Sequence, residues 1–141
     1  MSVETCDEAL TAIARVPLVS GLLSGKYDET TTFGADDHRT YNRGGGAFDV
    51  GETFAGVPFE VGVRAARFVT QLAAPTPTAQ VALRWILDQP RVSTVIPGAR
   101  NAKQVRGNVA AGHLDPLSDE VLGGLETIYD EQVREHVHGR W

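Results

Sequence analysis

The stretch VIPGARNAKQVRGN, residues 95–108, places groups suited to an anion directly after an apolar run. Gly98 lets a ligand approach the backbone closely, and Arg100 can hold a phosphate through two parallel hydrogen bonds. Asn101 is typical of a helix cap, and the N–H groups behind it, with the positive end of the helix dipole, favour the same charge. The pattern predicts a phosphate monoester as ligand; the alternative is a capped helix with an exposed arginine.

Two amides follow on the predicted helix. Gln104 and Asn108 are four residues apart and therefore share one face. Each amide can both donate and accept a hydrogen bond, which suits the edge of an adenine ring. The phosphate and the base together would describe a nucleotide.

A second candidate lies earlier, in PLVSGLLSGK. Ser20, Gly21 and Gly25 allow close approach to the backbone, and Lys26 adds a positive charge. The segment is not a P-loop, because Ser20 stands where the first glycine belongs and Tyr27 follows the lysine in place of Ser or Thr. A nucleoside triphosphatase is disfavoured, whereas a loop that follows a pyrophosphate remains open.

The elements that present these groups are two short strands. The apolar run at residues 12–16 ends at Pro17 and predicts a buried strand, and residues 91–98 predict a second one. Between them lies a Gly-, Thr- and Asp-rich stretch without periodicity, which predicts a long loop at residues 20–57 (the 20–57 loop). Residues 3–10 are expected to be the tail of a helix.

Four helices complete the pattern. The first covers about residues 58–72, with one apolar face at 3.6-residue spacing made of Val61, Ala65, Phe68, Val69 and Leu72. The second opens with Thr76 as cap and Pro77 in the first turn. A short helix follows Asn101, and Ser118 caps the last one. Alternating strands and helices predict parallel α/β structure, but two strands need further neighbours, so the chain looks like part of a larger unit.

Composition limits the function classes. The 141 residues carry a net charge of −5 with scattered arginines, which disfavours nucleic-acid binding. The single cysteine, Cys6, cannot form an internal disulfide. No apolar run is long enough to span a membrane, and the first residues lack the pattern of a signal peptide. We therefore expect a cytoplasmic protein. Histidines in DDHR and HVHG lack the spacing of metal ligands, so no metal site is predicted.

The segments ARVPLVSGLLSGKY, DHRTYNR, TPTAQVALRWILDQPRVSTVIPGARNAKQVRGN and IYDEQVR resemble the C-terminal part of an aldo-keto reductase, from about Leu10 onward. The resemblance implies the C-terminal portion of a TIM (β/α)8 barrel, with the two strands as the seventh and eighth. Residues 1–141 would then form a partial, helix-rich aldo-keto reductase domain.

The resemblance also implies a cofactor, NADP(H), and the residues that bind it. The loop after the seventh strand would cover the pyrophosphate, with contributions from Pro17, Leu18, Ser20, Gly21, Leu23, Lys26, Tyr41 and Arg43. The motif after the eighth strand would hold the 2′-phosphate and adenine through Gly98, Arg100, Gln104 and Asn108. Arg15 takes the place of an aromatic residue that stacks on the nicotinamide in many members, and arginine can also stack on a ring.

The family's catalytic Tyr, Lys, Asp and His come from earlier strands, and no motif in this sequence matches them, so no catalytic residue is assigned. Three interpretations remain. The chain is a C-terminal fragment of an NADPH-dependent reductase of aldehydes or ketones, a nucleotide-binding protein without chemistry, or a piece that completes its barrel with another chain through Val92–Ile96 and its helices. Alone, we expect it to be inactive and prone to self-association, without nucleic-acid or membrane partners.

Overall fold

The computed structural model describes residues 11–140, so the helix expected at residues 3–10 lies outside the described part. Two strands and six α-helices follow one another in the order β1 (Ala12–Arg15), α1 (His38–Tyr41), α2 (Phe59–Leu72), α3 (Thr78–Leu87), β2 (Val92–Ile96), α4 (Ala102–Ala111), α5 (Asp119–Ile128) and α6 (Arg134–Val137). Short 3₁₀ turns occupy Val19–Ser24, Val50–Glu52, Phe54–Gly56 and His138–Arg140, and a π-helical turn at Tyr129–Val133 joins α5 to α6.

The two strands pair in parallel, as the alternation of strands and helices predicts. Arg15 is aligned with Ile96, and α3 packs against β2. The prediction that both strands are buried is wrong, since Ile13 is 61% and Ile96 58% exposed. The helices cover only the opposite face, on which Ala14 and Val95 are partly buried. The chain is thus helix-rich α/β with a small open sheet, one side of which is bare.

The core consists of two clusters joined by α2. The first contains Leu22, Phe54, Phe59 and Val63, against which Val19, Tyr27 and Phe33 pack. The second contains Val69, Ala73 and Val81, covered by Leu117, Val121, Leu125 and Ile128. Residues from α5 therefore close the bundle around α2 and α3.

The sequence predicts an irregular 20–57 loop, but the loop contains regular structure. It includes α1 and three 3₁₀ turns, and it supplies Leu22 and Phe54 to the first core cluster. Its aromatic side chains follow no helical or strand period, so their joint burial is not visible in the sequence. Tyr27, Phe33, Phe54 and Phe59 form a continuous group of ring contacts with centroids 5.1–6.3 Å apart.

The helix α2 buries a different face from the predicted one. Ala65 and Val69 are buried as expected, but Phe68 is 48% exposed. The buried stripe instead contains Phe59, Gly62, Val63 and Ala66 as further members. A Cβ at Gly62 would lie 2.6 Å from Leu22 Cδ1, so this glycine lets the 20–57 loop pack onto the helix from that side.

The predicted helix caps are confirmed at two of three positions. The Asn101 side chain accepts a hydrogen bond from the Gln104 N–H at 3.0 Å, and the Ser118 side chain accepts one from Val121 at 3.4 Å. Thr76 does not cap the second helix, because α3 begins at Thr78 with Pro77 in the cap position.

Candidate functional site

The carboxyl ends of β1 and β2 lie side by side, because the strands are parallel and Arg15 is aligned with Ile96. The segments that continue from these ends, residues 16–26 and 98–108 (the 98–108 segment), therefore leave the sheet at the same edge. Ligands of parallel α/β proteins bind at this edge. Both sets of predicted binding residues start from it.

The 98–108 segment is held together by its own polar groups. The Arg100 N–H donates a hydrogen bond to Gln104 Oε1 at 2.6 Å, and Asn108 Nδ2 donates to the Gly98 carbonyl at 3.3 Å. With the cap by Asn101, the turn is closed before any ligand arrives. The structure thus brings together all four residues predicted here.

The same hydrogen bonds change the expected role of the two amides. Gln104 Oε1 and one Nδ2 hydrogen of Asn108 are engaged within the segment, which leaves Gln104 Nε2 as a donor and Asn108 Oδ1 as an acceptor. The Arg100 side chain is exposed, and across residues 11–140 it forms no ion pair. A charged guanidinium stands beside the N-terminus of α4.

The backbone after β1 has an unusual conformation. Val16, Val19 and Ser20 have φ angles of 50°, 52° and 55°, and Gly21 has 96°. Positive φ is uncommon for residues other than glycine, and such strain concentrates at functional sites. A Cβ at Gly21 would lie 2.4 Å from the Tyr27 hydroxyl oxygen, so only glycine fits there.

A polar network supports this strained turn. The Tyr27 hydroxyl donates to the Ser20 carbonyl at 3.4 Å and accepts from Arg39 Nη1 at 2.5 Å. Arg39 in turn forms an ion pair with Asp37 (Nε to Oδ1, 2.8 Å) and lies 4.2 Å from the centroid of the Phe33 ring. The hydrogen bond from Arg39 lowers the pKa of Asp37. Sequence reasoning missed this network, because its members are separated by up to 19 residues and follow no motif.

Three predicted residues of the 20–57 loop do not contact the 98–108 segment in the described part of the chain. Lys26 is exposed. Tyr41 is also exposed, and its ring centroid lies 6.1 Å from that of Phe48 in a T-shaped arrangement. Arg43 lies 4.8 Å from the centroid of the Phe59 ring and donates to the Arg39 carbonyl. Within residues 11–140, no hydrogen bond or ring contact joins these side chains to the 98–108 segment.

Two cavities open around the strained turn. The smaller, about 240 Å³, lies between Arg15, Val16, Val19 and Ser20 on one side and Gly51, Glu52 and Ala55 on the other. The larger, about 700 Å³, is mostly apolar and is lined by Pro17, Leu23, Trp85, Leu125, Tyr129 and neighbouring residues. The predicted binding residues are therefore divided. Arg15 and Ser20 line the smaller cavity, about half of whose surface is polar (the polar cavity), and Pro17 and Leu23 line the larger one (the apolar groove).

Ser20, His38 and Asp37 lie close together, as in a hydrolytic triad, but the hydrogen bonds of Asp37 do not fit that chemistry. Ser20 Oγ lies 3.4 Å from His38 Nε2, and His38 Nδ1 lies 3.5 Å from Asp37 Oδ1. Both carboxylate oxygens of Asp37 are bound by Arg39, so the carboxylate cannot orient the imidazole.

A sequence profile of the Aldo/keto reductase family matches residues 3–130. The chain belongs to this family. The expectation drawn from the strand-end motifs is thereby confirmed at the level of the family. In the described part of this aldo/keto reductase chain, none of the helices has the length and apolar character needed to cross a membrane.

The proteins similar to this chain include a channel subunit and a reductase. The chain is 34% identical over 113 residues to a putative voltage-gated potassium channel subunit beta from Schizosaccharomyces pombe, with 79% of this chain and 32% of that protein covered. It is 32% identical over 122 residues to an L-glyceraldehyde 3-phosphate reductase from Escherichia coli O157:H7, with 85% and 34% covered. The chain thus spans about a third of the length of the curated relatives it matches.

Proposed function

We propose that this chain supplies the NADP(H)-binding part of an aldo/keto reductase, with β1 and β2 as the seventh and eighth strands of a (β/α)8 barrel. The whole barrel would reduce an aldehyde or ketone by hydride transfer from the cofactor. The observation that carries the proposal is the closed 98–108 segment, which presents the exposed Arg100 guanidinium at the carboxyl edge of the sheet.

Arg100 supports a preference for NADPH over NADH. Its guanidinium can form two hydrogen bonds to the 2′-phosphate, which NADH lacks. The N–H groups at the start of the ten-residue helix α4 favour the same charge. Gln104 Nε2 can donate a hydrogen bond to a ring nitrogen of adenine, and Asn108 Oδ1 can accept one from its exocyclic amine.

The other end of the cofactor would lie near β1. Ser20 and Gly21 expose backbone in the strained turn, and Arg15 at the polar cavity would face the nicotinamide. Lys26, Tyr41 and Arg43 remain assigned to a flap over the pyrophosphate. The bound cofactor would supply the hydride, while these residues bind and orient it. The proton donor and its partners would come from the remainder of the barrel.

A second candidate function, completion of a barrel with another protein segment, is favoured by the exposed apolar surface. Ile13 and Ile96 lie on the bare face of the sheet, and Val105 and Val109 are exposed on α4. In a barrel, the sheet face would be covered by the opposite strands and α4 by its neighbour. We propose the N-terminal part of an aldo/keto reductase as the segment that covers them.

The direct test is a titration of the chain with NADPH and NADH, followed by tryptophan fluorescence. Trp85 lies in the groove beside the strained turn and serves as a reporter. We expect saturable binding with a preference for NADPH. Arg100→Ala should lower the affinity for NADPH about 10- to 100-fold, as expected for hydrogen bonds between charged groups. It should leave the affinity for NADH nearly unchanged.

The matched control is Arg106→Ala, which removes the same charge from the middle of α4 and should alter neither affinity by more than about two-fold. Equal losses for both cofactors in Arg100→Ala, or the absence of saturable binding, would contradict the proposal. Oxidation of NADPH by nitrobenzaldehyde in the presence of the pure chain would contradict the assignment of catalysis to the rest of the barrel.

A further inference from the structure

The C-terminal end of the described chain lies against the segment of residues 49–56. Arg140 Nη2 donates a hydrogen bond to Asp49 Oδ1 at 3.0 Å, between residues 91 positions apart. The same Asp49 oxygen accepts the Gly51 N–H at 2.7 Å. One carboxylate oxygen therefore both closes the 3₁₀ turn Val50–Glu52 and binds the end of the chain.

The contact extends beyond the ion pair. A Cβ at Gly56, where φ is +80°, would lie 2.5 Å from Arg140 Nη1, and one at Gly51 would lie 3.3 Å from Nη2. The guanidinium thus packs directly on two glycines, and a side chain at Gly56 would displace it. The neighbouring helix α6 contacts Phe54–Gly56, and Val137 on it is buried.

The segment bound by Arg140 is also a wall of the polar cavity. Gly51, Glu52 and Ala55 face Arg15 and Ser20 across about 240 Å³. Arg140 therefore binds the same short turns that line the cavity.

We propose that Arg140 is a positioning residue for the cofactor site: by binding Asp49 and packing on Gly51 and Gly56, it sets the position of the cavity wall opposite Arg15 and Ser20. The inference rests on the proposed function, because it concerns the same cavity. Arg140 touches no reacting atom and acts through the 49–56 segment alone.

The size of the effect follows from exposure. The side chains of Arg140 and Asp49 are 37% and 71% exposed, so solvent screens their charges and the pair stabilises the segment only modestly. We therefore expect changes of roughly two- to five-fold, the range typical of a single exposed ion pair.

The first readout is hydrogen exchange of the amides in residues 51–56 without cofactor. Arg140→Ala should accelerate their exchange about two- to five-fold, because the segment opens more often. Arg134→Ala is the matched control, since it removes an arginine from the adjoining helix α6, and the ion pair of this arginine is with Asp130. It should leave this exchange unchanged.

The second readout is affinity for both cofactors by fluorescence titration. Arg140→Ala should raise the Kd of NADPH and NADH by the same factor of about two to five, because the cavity wall contacts a part common to both. Arg100→Ala differs by acting on NADPH alone. Gly56→Ala should raise the Kd of both cofactors when Arg140 is present. In the Arg140→Ala variant the same substitution should raise the Kd by a smaller factor, because the clash with the guanidinium is then absent.

Unchanged exchange in Arg140→Ala, or equal acceleration in Arg134→Ala, would overturn the inference. If the unaltered chain binds neither cofactor, the proposed function fails and the inference fails with it. If the unaltered chain binds both cofactors and Arg140→Ala binds them equally well, the inference alone fails and the proposed function stands.

Discussion

The two loops that leave the carboxyl edge of the sheet are built in opposite ways. The 98–108 segment is closed by hydrogen bonds between residues at most ten positions apart, from Gly98 to Asn108. The 20–57 loop depends on distant partners, because Leu22 and Phe54 pack with Val63 of α2 and Asp49 binds Arg140.

The anion-binding end of the proposed cofactor site therefore lies in the locally closed segment, and the other end lies in the loop that depends on distant partners. The turn before α4 retains its shape when the core loosens, because the hydrogen bonds that close it connect near neighbours. One distant contact anchors the segment further along, where Gln80 Nε2 donates to the Gly107 carbonyl at 3.1 Å. A loop built on a shared core retains its shape only while that core is packed. Substitutions in the two regions should therefore differ in size and in how far their effects spread.

The largest effect should come from the core of the 20–57 loop. Phe54 is 1% exposed and its ring centroid lies 5.1 Å from that of Phe59. Phe54→Ala should lower the free energy of unfolding by about 3–5 kcal/mol, because it leaves a cavity. Urea denaturation provides the measurement. Phe48→Ala, at an exposed site, should cost about 0.5 kcal/mol or less, and comparable losses in the two variants would contradict the comparison.

A smaller effect is expected at Asn42, which is fully buried. Its Oδ1 accepts from the Ala47 and Phe48 N–H groups at 3.0 and 2.9 Å, and its Nδ2 donates to Thr53 Oγ1 at 3.1 Å. Asn42→Ala leaves these groups without partners and should cost about 1–3 kcal/mol in urea denaturation.

The same substitution in the other region serves as control. Asn108→Ala removes one hydrogen bond from a partly exposed site and should cost about 1 kcal/mol or less. A larger loss at Asn108 than at Asn42 would show that the 98–108 segment depends on the whole fold, which contradicts the comparison.

Asn101 tests the local construction itself. Asn101→Ala removes the cap of α4 and should cost about 1 kcal/mol. Asn101→Ser retains a capping oxygen and should behave almost like the unaltered chain. Hydrogen exchange should accelerate in the first turn of α4 alone. Faster exchange in residues 20–57 as well would mean that the two regions are coupled.

The smallest effect is a pH dependence confined to the 20–57 loop. Because the Arg39 hydrogen bond lowers the pKa of Asp37 below its unfolded value near 3.9, the carboxylate stabilises the fold above that pH. This stabilisation is lost as the pH falls through the lower pKa of the folded state. Asp37→Asn should therefore be less stable at neutral pH, by under about 1 kcal/mol because the pair is partly exposed.

The difference between Asp37→Asn and the unaltered chain should shrink as the pH falls from about 4 toward the lower pKa of the folded state, because the unfolded chain then takes up a proton that the folded chain does not. Urea denaturation at a series of pH values provides the measurement. A difference that stays constant or grows toward acid pH would contradict the role given to Asp37.

The same division explains what the sequence predicts. The caps at Asn101 and Ser118 and the parallel pairing of β1 with β2 follow from local patterns and are confirmed. The buried face of α2 is set by Leu22 against Gly62, a contact between segments that no periodicity connects. Whether a sheet face is buried likewise depends on which elements cover it. The apolar composition of the strands alone therefore predicts their burial incorrectly.

The residues of the proposed site show the same difference between local and distant contacts. Gly98, Arg100, Gln104 and Asn108 are near neighbours, and the structure brings them together. Tyr41 and Arg43 belong to a segment whose course depends on the aromatic cluster, and they lie against the rings of Phe48 and Phe59. Their assignment to a cofactor flap, like the binding roles of the other residues, stays a prediction.

The pairing of β1 with β2 also has a consequence for how quickly the chain folds. Ala12 is aligned with Val92, so the sheet cannot form until the two ends of the long intervening chain meet. Contacts of such high sequence separation slow folding, because the entropy of loop closure is lost before the strands gain any hydrogen bonds. The 98–108 segment needs no such encounter. We therefore expect it to acquire its shape early, and the sheet edge from which it extends to form late.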